Sequence, residues 1–177
     1  NDMTEVMIDI ETLSTRSDAT VLAIGAVRFD RSASQANPDT FYCRIDRASC
    51  EALGLHVDPE TEAWWRKQSA EARHEALEHP DRVSIECALR DFVQWAGSTK
   101  IFWAKSPDFD CKILETACTR LGIRAPWKFW DLRCVRTAMD LGAVQNKDLP
   151  KGGEHTAIGD CLKQIRAVQM SVENINR

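Results

Sequence analysis

The sequence lacks three features that would each assign it to a large class of proteins. No apolar run approaches the roughly 20 residues of a membrane-spanning helix, and no basic-then-apolar signal peptide opens it, so we expect a cytoplasmic protein without membrane contact. No GxGxxG or GxxxxGK[ST] segment follows any predicted strand, which argues against dinucleotide-binding and P-loop proteins. Excess positive charge is also missing. At a net charge of −4, bulk attraction does not favour nucleic acid, although bound divalent cations would offset acidic groups locally.

Cysteine pairs suited to a metal or a disulfide are missing as well. The chain has 7 cysteines, an odd number, and none lies in a C-x-x-C motif or at another zinc-ligand spacing. Cys111 and Cys118 are seven residues apart in a predicted helix and should share one buried face. We therefore expect free thiols in a reducing cytoplasm.

Length and patterning predict one α/β domain, residues 1–177. Strands are predicted at residues 3–10, Val21–Phe29, Thr40–Ile45, Lys100–Ala104 and Trp127–Trp130. Helices are predicted at residues 59–77, about 82–96, Phe109–Leu121, Leu132–Leu141 and His155–Val172, with a polar turn at Ser32–Asp39 and a loop at Gly142–Glu154. Three successive strands, then helices interleaved with two more, indicate a mixed five-stranded sheet flanked by helices.

The first predicted strand ends in two carboxylates. Its apolar run leads into Asp-Ile-Glu-Thr at residues 9–12. Side chains alternate along a strand, so Asp9 and Glu11 should project from one face, about 7 Å apart. Paired carboxylates repel each other unless a cation lies between them. The pair is therefore a candidate platform for a divalent metal, although Asp-x-Glu alone also occurs at ordinary solvated strand ends.

A third acid follows the fourth predicted strand. Asp110 stands where a helix begins, so its carboxylate can reach past the end of that strand. Asp108 competes for the same role and for that of helix N-cap; we favour Asp108 as the cap and Asp110 as the site residue.

The last predicted helix opens with a histidine and an aspartate. His155 precedes Asp160 by five residues, which can leave both facing one cleft. Gly159 is costly inside a helix unless another group must approach closely. Each of these residues alone has an ordinary surface explanation; together, four carboxylates at strand or helix ends and one histidine form a strong combined signal.

The order Asp-x-Glu, Phe-Asp and His-x-Ala-x-x-Asp resembles the histidine-bearing (DEDDh) branch of the DEDD superfamily of 3′–5′ exonucleases. Residues 7–29, the Trp64–Gln68 segment and the strand of Trp103 are similar to the small phage and bacterial ribonuclease AS-like and DexA-like members. The resemblance extends from Met7 to about Gln169 and implies a ribonuclease H-like fold. It departs at Ala104-Lys105-Ser106, where many relatives carry small or amide residues.

This resemblance implies a metal-dependent 3′–5′ exonuclease that acts on single-stranded RNA or DNA and releases nucleoside 5′-monophosphates. Two Mg²⁺ or Mn²⁺ ions, roughly 3.5–4 Å apart, would be held by four acids: Asp9, Glu11, Asp110 and Asp160. Oxygen ligands suit such hard cations. His155, with an ordinary pKa of about 6.5, would be the general base for the attacking water.

Substrate contacts are predicted around the first motif and at two tryptophans. Thr12 and Leu13 follow Glu11 directly, and the resemblance places Leu13 against the terminal base. Trp64 or Trp65 could stack on a base, but adjacent helix positions point about 100° apart, so at most one should do so. Basic residues that could contact phosphates are Arg133, Arg136, Lys147 and Lys151. The resemblance also suggests a homodimer.

Two other functions remain open from sequence alone. One is a non-catalytic nucleic-acid-binding module on the same fold, against which the complete set of four acids and a histidine argues. The other is a phosphoesterase that acts on small nucleotides. RNA and DNA are not distinguished, since recognition of the 2′-hydroxyl has no motif.

Overall fold

In a computed structural model that describes residues 5–34, 36–153 and 155–177, five strands form one mixed sheet. The strands are β1 (Glu5–Thr12), β2 (Val21–Phe29), β3 (Ala36–Arg44), β4 (Ile101–Ala104) and β5 (Leu132–Cys134), in the order β3-β2-β1-β4-β5. β1–β2 and β2–β3 are antiparallel, whereas β1–β4 and β4–β5 are parallel. The predicted α/β class and the mixed five-stranded sheet are confirmed.

Helices cover both faces of the sheet. They are α1 (Arg47–Ala52), α2 (Pro59–Arg66), α3 (Ala70–Arg73), α4 (Ile85–Ala96), α5 (Pro107–Leu121), α6 (Val135–Gly142) and α7 (Ala157–Ile175). A π-helical turn, His74–Glu78, continues α3, and short 3₁₀ turns occur at Phe129–Asp131 and Asn146–Asp148.

Side chains alternate along β1 between two hydrophobic cores, one on each face of the sheet. Val6, Ile8 and Ile10 are buried with residues of α4 and α5 on one face of the sheet. Met7 is buried on the other face with residues of α6 and α7. Because Asp9 and Glu11 continue the odd-numbered series, they face α7.

Close contact between α7 and β2 brings the helix over these carboxylates. Gly25 of β2 pairs with Asp9 of β1, and the first residue of α7, Ala157, lies directly against Gly25. A Cβ at position 25 would lie only 2.7 Å from the Ala157 Cβ. Position 25 of β2 therefore requires a glycine, because the first residue of α7 packs directly against it.

The predicted fifth strand at Trp127–Trp130 is wrong. Phe129–Asp131 is a 3₁₀ turn, and β5 is Leu132–Cys134, so the helix predicted from Leu132 begins at Val135. The aromatic residues suggested a strand, but the Asp131 carboxylate accepts a hydrogen bond from the Lys128 N–H at 2.8 Å and closes a turn.

Other predicted boundaries also shift. The helix predicted at 59–77 is divided, because Ser69 caps a new start by accepting a hydrogen bond from the Ala72 N–H. β3 already begins at Ala36, so the predicted turn at Ser32–Asp39 is shorter, and residue 35 within it lies outside the described residues, as do residues 3 and 4 of the first predicted strand. The short helix α1 was not predicted. Cys111 and Cys118 are buried in α5, as predicted.

Within the described ranges, no helix combines the length and the apolar character that a bilayer crossing requires.

Gly25→Ala should lower the free energy of unfolding by about 1–3 kcal/mol, because the added methyl group overpacks the contact with Ala157. Urea denaturation measures this loss. Gly122→Ala is the control: its positive φ of 68° adds backbone strain, but no atom lies within 4 Å of the added Cβ. Only Gly25→Ala should also impair the function of the carboxylates that lie below α7. If Gly25→Ala changes neither the stability nor the function of the protein, the proposed role of the contact between Gly25 and Ala157 is wrong.

Candidate active site

Three carboxylates converge where β1 passes beneath the start of α7. One oxygen from each of Asp9, Glu11 and Asp160 lies within 4.8 Å of the others. The first two come from the α7-facing side of β1, and Asp160 comes from the first turn of α7. The structure thus brings together residues that are about 150 positions apart in the chain.

Asp110 joins this group from the other side of β1. It lies in the first turn of α5, is 3% exposed, and its Oδ2 accepts a hydrogen bond from the Ile10 N–H at 3.2 Å. Asp108 is exposed, and the N-cap position of α5 is Ser106, so the prediction of Asp108 as the cap is wrong. Burial distinguishes the two aspartates and favours Asp110.

The four carboxyl groups oppose one another's ionisation. Burial, then repulsion from Asp110, Glu11 and Asp160, raises the pKa of Asp9 well above its ordinary value. Burial, followed by repulsion from Asp160 and Asp110, raises the pKa of Glu11 to about 9. Burial also raises the pKa of Asp110 to about 7 and is the main cause of the raised pKa of Asp160. Removing these charges from water without a counter-ion is unfavourable.

The donor set fits divalent cations. The Glu11 Oε1 atom is buried and has no hydrogen-bond partner among the described residues. A buried, unpaired carboxylate oxygen beside further carboxylates is the environment that a bound cation would stabilise. All the donors are oxygens, which suit hard cations such as Mg²⁺ and Mn²⁺.

His155 lies at the entrance to this group and has an exposed side chain. Its backbone is left-handed, with φ of 63°, directly before the helix N-cap, Thr156. The His155 backbone N–H is hydrogen-bonded to the Asp160 carboxylate. Its ring packs edge-on against Trp64, with ring centroids 4.9 Å apart, and lies 6.4 Å from Trp65. His155 is therefore placed beside the carboxylates and not among them.

The predicted substrate-binding residues differ in exposure. Trp64 is 43% exposed, whereas Trp65 is 3% exposed and its Nε1 donates a hydrogen bond to the Thr12 carbonyl at 2.8 Å. Leu13 has no exposed surface, so the expected wedge against a base does not fit this structure. The Thr12 hydroxyl is occupied by a hydrogen bond to the Ser14 carbonyl at 2.7 Å. Of the two tryptophans, only Trp64 presents a surface to solvent.

Gln164 is a site residue that sequence reasoning missed. Its Nε2 donates a hydrogen bond to Asp9 Oδ1 at 3.1 Å. The available signal was its position four residues after Asp160, which places both on one face of α7. Gly159 has the close neighbour that its position suggested: a Cβ there would collide with the Gly153 carbonyl oxygen and the Thr156 hydroxyl.

The basic residues that were predicted to contact phosphates lie at different places around the site. Arg136 donates a hydrogen bond from Nε to Ser106 Oγ at 2.9 Å, beside the start of α5. The Arg133 side chain donates a hydrogen bond to the Trp130 carbonyl at 2.7 Å, so it is bonded to the backbone just before β5. Lys147 is exposed, and Lys151 lines a pocket that Asp160 also borders.

Comparison with protein families gives a match over nearly the whole chain. The model of the Rv2179c-like family, described as a 3′–5′ exoribonuclease Rv2179c-like domain, matches residues 4–172. The exodeoxyribonuclease of Enterobacteria phage T4 is 23% identical over 202 residues, which covers 92% of this chain and 86% of that protein.

Solved structures show the same fold at low sequence identity. Escherichia coli exonuclease I in complex with a dA16 oligonucleotide has a TM-score of 0.69 at 13% identity, over 98% of this chain. The chain spans 41% of the length of that protein. Exonuclease X in complex with 5′ overhanging duplex DNA has a TM-score of 0.59 at 16% identity, covering 97% of this chain and 91% of that one. These likenesses confirm the ribonuclease H-like fold.

The free energy of unfolding of the metal-free protein should fall as pH rises. The Glu11 pKa is raised from 4.5 to about 9 on folding, so between these pH values the folded state holds more protons than the unfolded state. Stability is then present at low pH and is lost as pH rises through the folded pKa. Thermal unfolding in EDTA from pH 5 to pH 9 measures this, and added Mg²⁺ should flatten the curve.

Glu11→Gln should remove part of this pH dependence and raise the melting temperature in EDTA at pH 8 by at least about 3 °C. The matched control is Glu60→Gln, because Glu60 is exposed in the first turn of α2. An identical pH profile for Glu11→Gln and the wild type would contradict the repulsion described here.

Proposed function

Because the chain belongs to the Rv2179c-like 3′–5′ exoribonuclease domain family, within the DEDD superfamily of 3′–5′ exonucleases, we propose that the site at the end of β1 is its catalytic centre. The protein is a 3′–5′ exonuclease. The observation that carries the assignment of the centre is the convergence of Asp9, Glu11 and Asp160, with Asp110 bonded to the strand between the first two. Residues 1–177 would form a single exonuclease domain, which the family match over 4–172 supports.

The proposed ligands of two Mg²⁺ or Mn²⁺ ions are Asp9, Glu11, Asp110 and Asp160. Bound ions would supply Lewis acidity to the attacking water and to the leaving 3′ oxygen. The protein itself holds the four acids, which come from β1, α5 and α7, in one place before substrate binds. Gln164 orients the Asp9 carboxylate by its hydrogen bond, and the Ile10 N–H does the same for Asp110.

His155 is the proposed general base. Water attacks the phosphorus atom of the last phosphodiester link, and a ring nitrogen of His155 takes the proton of the water. The bond to the 3′ oxygen of the preceding nucleotide breaks, and this oxygen takes a proton from solvent to become a 3′-hydroxyl. The product is then a nucleoside 5′-monophosphate. The backbone hydrogen bond from His155 to Asp160 keeps the base beside the carboxylates without making it a ligand.

Trp64 is the proposed surface for base stacking. It is exposed on α2 beside the His155 ring, and an aromatic face accepts any base, which suits a nuclease without sequence preference. The substrate would be the 3′ end of single-stranded RNA or DNA. The choice between the two depends on contacts with the 2′-hydroxyl.

Cellular context is also proposed. All 7 cysteines are free, which fits a cytoplasmic location. A homodimer finds no support in the compared proteins and remains a prediction, which sedimentation would test.

Digestion of end-labelled single strands tests the proposed function. In Mg²⁺ or Mn²⁺, linear RNA or DNA should be shortened only from the 3′ end, with release of 5′-monophosphates, because the reaction needs a free 3′ terminus. Parallel RNA and DNA substrates measure the sugar preference. A circular single strand that is cut as fast as the linear one would exclude an exonuclease.

Asp110→Asn should reduce this digestion by at least about 100-fold and should weaken the rise in melting temperature that Mg²⁺ produces, because a carboxylate ligand is lost. Asp108→Asn is the matched control from the same helical turn, and its exposed side chain predicts near wild-type values. The reverse outcome would assign the wrong aspartate to the site.

His155→Ala should lower kcat by roughly 10²–10⁴-fold, the contribution of a positioned general base. It should keep the stabilisation by Mg²⁺, since His155 is not a proposed ligand. His74→Ala is the control, because His74 is an exposed residue of the π-helical turn. Loss of the metal-induced rise in melting temperature would make His155 a ligand, and unchanged kcat would make it a bystander.

A further inference from the structure

Two large aromatic side chains are exposed to solvent just before β5. Phe129 is 82% exposed and Trp130 is 59% exposed, although side chains of this kind are usually largely buried. Both belong to the 3₁₀ turn Phe129–Asp131, and their rings pack edge to face with centroids 4.8 Å apart. We call this pair the aromatic turn. Neither residue belongs to a hydrophobic core, so packing within the protein does not explain their position.

The residues on either side hold the aromatic turn in place. Trp127 is 6% exposed, and its Nε1 donates a hydrogen bond to Glu115 Oε1 at 2.7 Å. Asp131 is also buried; its carboxylate accepts a hydrogen bond from the Lys128 N–H, and its own N–H donates one to the Lys128 carbonyl at 2.9 Å. Because the backbone is fixed in this way, the two rings lose little conformational freedom when a ligand binds to them.

Basic side chains accompany the aromatic turn. Within residues 124–136 only Asp131 is acidic and four residues are basic, whereas the whole chain has a net charge of −4. The four are Arg124, Lys128, Arg133 and Arg136. The Lys128 Nζ lies 5.6 Å from the centre of the Trp130 ring, and the Arg133 side chain is bonded to the Trp130 carbonyl. Among the described residues, no carboxylate forms an ion pair with any of the four.

The register of the sheet gives the distance from the aromatic turn to the carboxylate site. Leu132, the first residue of β5, is in register with Phe102 of β4, which is in register with Val6 of β1. Val6 precedes Asp9 by three residues. At about 3.3 Å per residue along a strand and about 4.8 Å between strands, the aromatic turn lies roughly 15–20 Å from the carboxylates.

Two of the cations lie between these two places. Arg133 is in β5, which is an edge strand of the sheet, and the exposed Arg136 follows in the first turn of α6. The Arg136 Nε donates a hydrogen bond to Ser106 Oγ at the N-cap of α5, four residues before Asp110. Positive charge therefore continues along the edge of the sheet from the aromatic turn to the site, which suits a polyanion.

Single-stranded nucleic acid combines the two properties that this surface requires. It carries one phosphate per nucleotide, and its bases stack on aromatic side chains whatever their sequence. A second copy of the chain fits less well, because a two-fold interface uses the same patch on both subunits and would bring these cations together. We propose that the aromatic turn binds single-stranded nucleic acid upstream, on the 5′ side, of the link that is cleaved. The bases stack on the two rings, and the phosphates follow the cations of β5 and α6.

This inference rests on the proposed function and predicts a dependence on substrate length. At about 3.4 Å per stacked nucleotide, about four to six nucleotides separate the site from the aromatic turn, so a trinucleotide cannot reach it. In the sugar series that the enzyme cleaves faster, kcat/KM should be about 10- to 100-fold higher for a decanucleotide than for a trinucleotide, which is the scale of base stacking on aromatic side chains. The difference should lie mainly in KM.

The variant Phe129→Ser/Trp130→Ser removes both rings from exposed positions. The ratio of kcat/KM for the decanucleotide to that for the trinucleotide should fall towards one, with cleavage of the trinucleotide unchanged. Phe129→Tyr/Trp130→Tyr keeps two aromatic faces and should keep most of the ratio. Ile175→Ser is the matched control, because Ile175 is a large apolar residue that is 54% exposed at the end of α7. Thermal unfolding confirms that each variant is folded.

The contribution of the cations is measured by the salt dependence of binding. Fluorescence anisotropy of a labelled decanucleotide in EDTA reports binding without metal-dependent cleavage. Loss of one phosphate contact in Lys128→Gln should reduce the slope of log affinity against log salt by about 0.7. Arg90→Gln is the control, because Arg90 is exposed on α4, outside residues 124–136, and should leave the slope unchanged.

The outcomes distinguish this inference from the proposed function. If the wild type cleaves neither oligonucleotide, the proposed function fails, and the inference fails with it. If the wild type cleaves both with equal kcat/KM, or if the Ser variant keeps the wild-type ratio, the inference is wrong and the proposed function stands. If the wild type sediments as a dimer and the Ser variant as a monomer, the aromatic turn is an interface between copies of the chain, and the inference is again wrong.

Discussion

Mutual repulsion among four carboxyl groups, that of Asp110 buried and the other three partly buried, is the constraint on which the rest of the structure depends. Burial and neighbouring charge both raise their pKa values, so the folded chain without a cation holds an unfavourable arrangement. The two cores on either side of the sheet offset this cost. Together with the hydrogen bonds from Gln164 to Asp9 and from the Ile10 N–H to Asp110, they fix β1, α5 and α7 relative to one another. Apolar packing therefore holds these carboxylates together although their charges repel one another, as is common at functional sites.

The helix α7 connects the packing to the chemistry. Glycines at 25 and 159 remove side chains where the helix approaches β2 and where the preceding loop folds back over its first turn. Both contacts place backbone where a methyl group would not fit. Asp160 is thereby held over β1 with the His155 backbone bonded to it, and the remainder of α7 is anchored by Cys161, Ile165 and Val168 in the second core.

Features governed by local periodicity could be predicted from sequence, whereas those governed by distant contacts could not. The alternation along β1 placed Asp9 and Glu11 on one face, and the order of strands and helices indicated the mixed sheet. Trp127–Trp130 was misassigned because aromatic residues favour strands, whereas the Asp131 carboxylate accepts a hydrogen bond from the Lys128 N–H and closes a turn. The hydrogen bond from Gln164 to Asp9 joins residues 155 positions apart, and the local signal for it was only the position of Gln164 four residues after Asp160. No local pattern encodes the burial of Leu13.

The central position of β1 in the sheet should make its motions slower than those of the turn that carries His155. This strand is hydrogen-bonded on both sides, by β2 and by β4, so its amides should exchange with solvent only through opening of much of the domain. His155, by contrast, is exposed in a left-handed turn ahead of α7, where we expect opening to require less free energy than the opening of β1. We therefore expect two of the acids to lie on a slowly exchanging segment of the chain and the histidine on a faster one. At the proposed metal site, ions would consequently stay bound through many movements of His155, and the ions and the position of His155 need not be lost together when the protein is warmed.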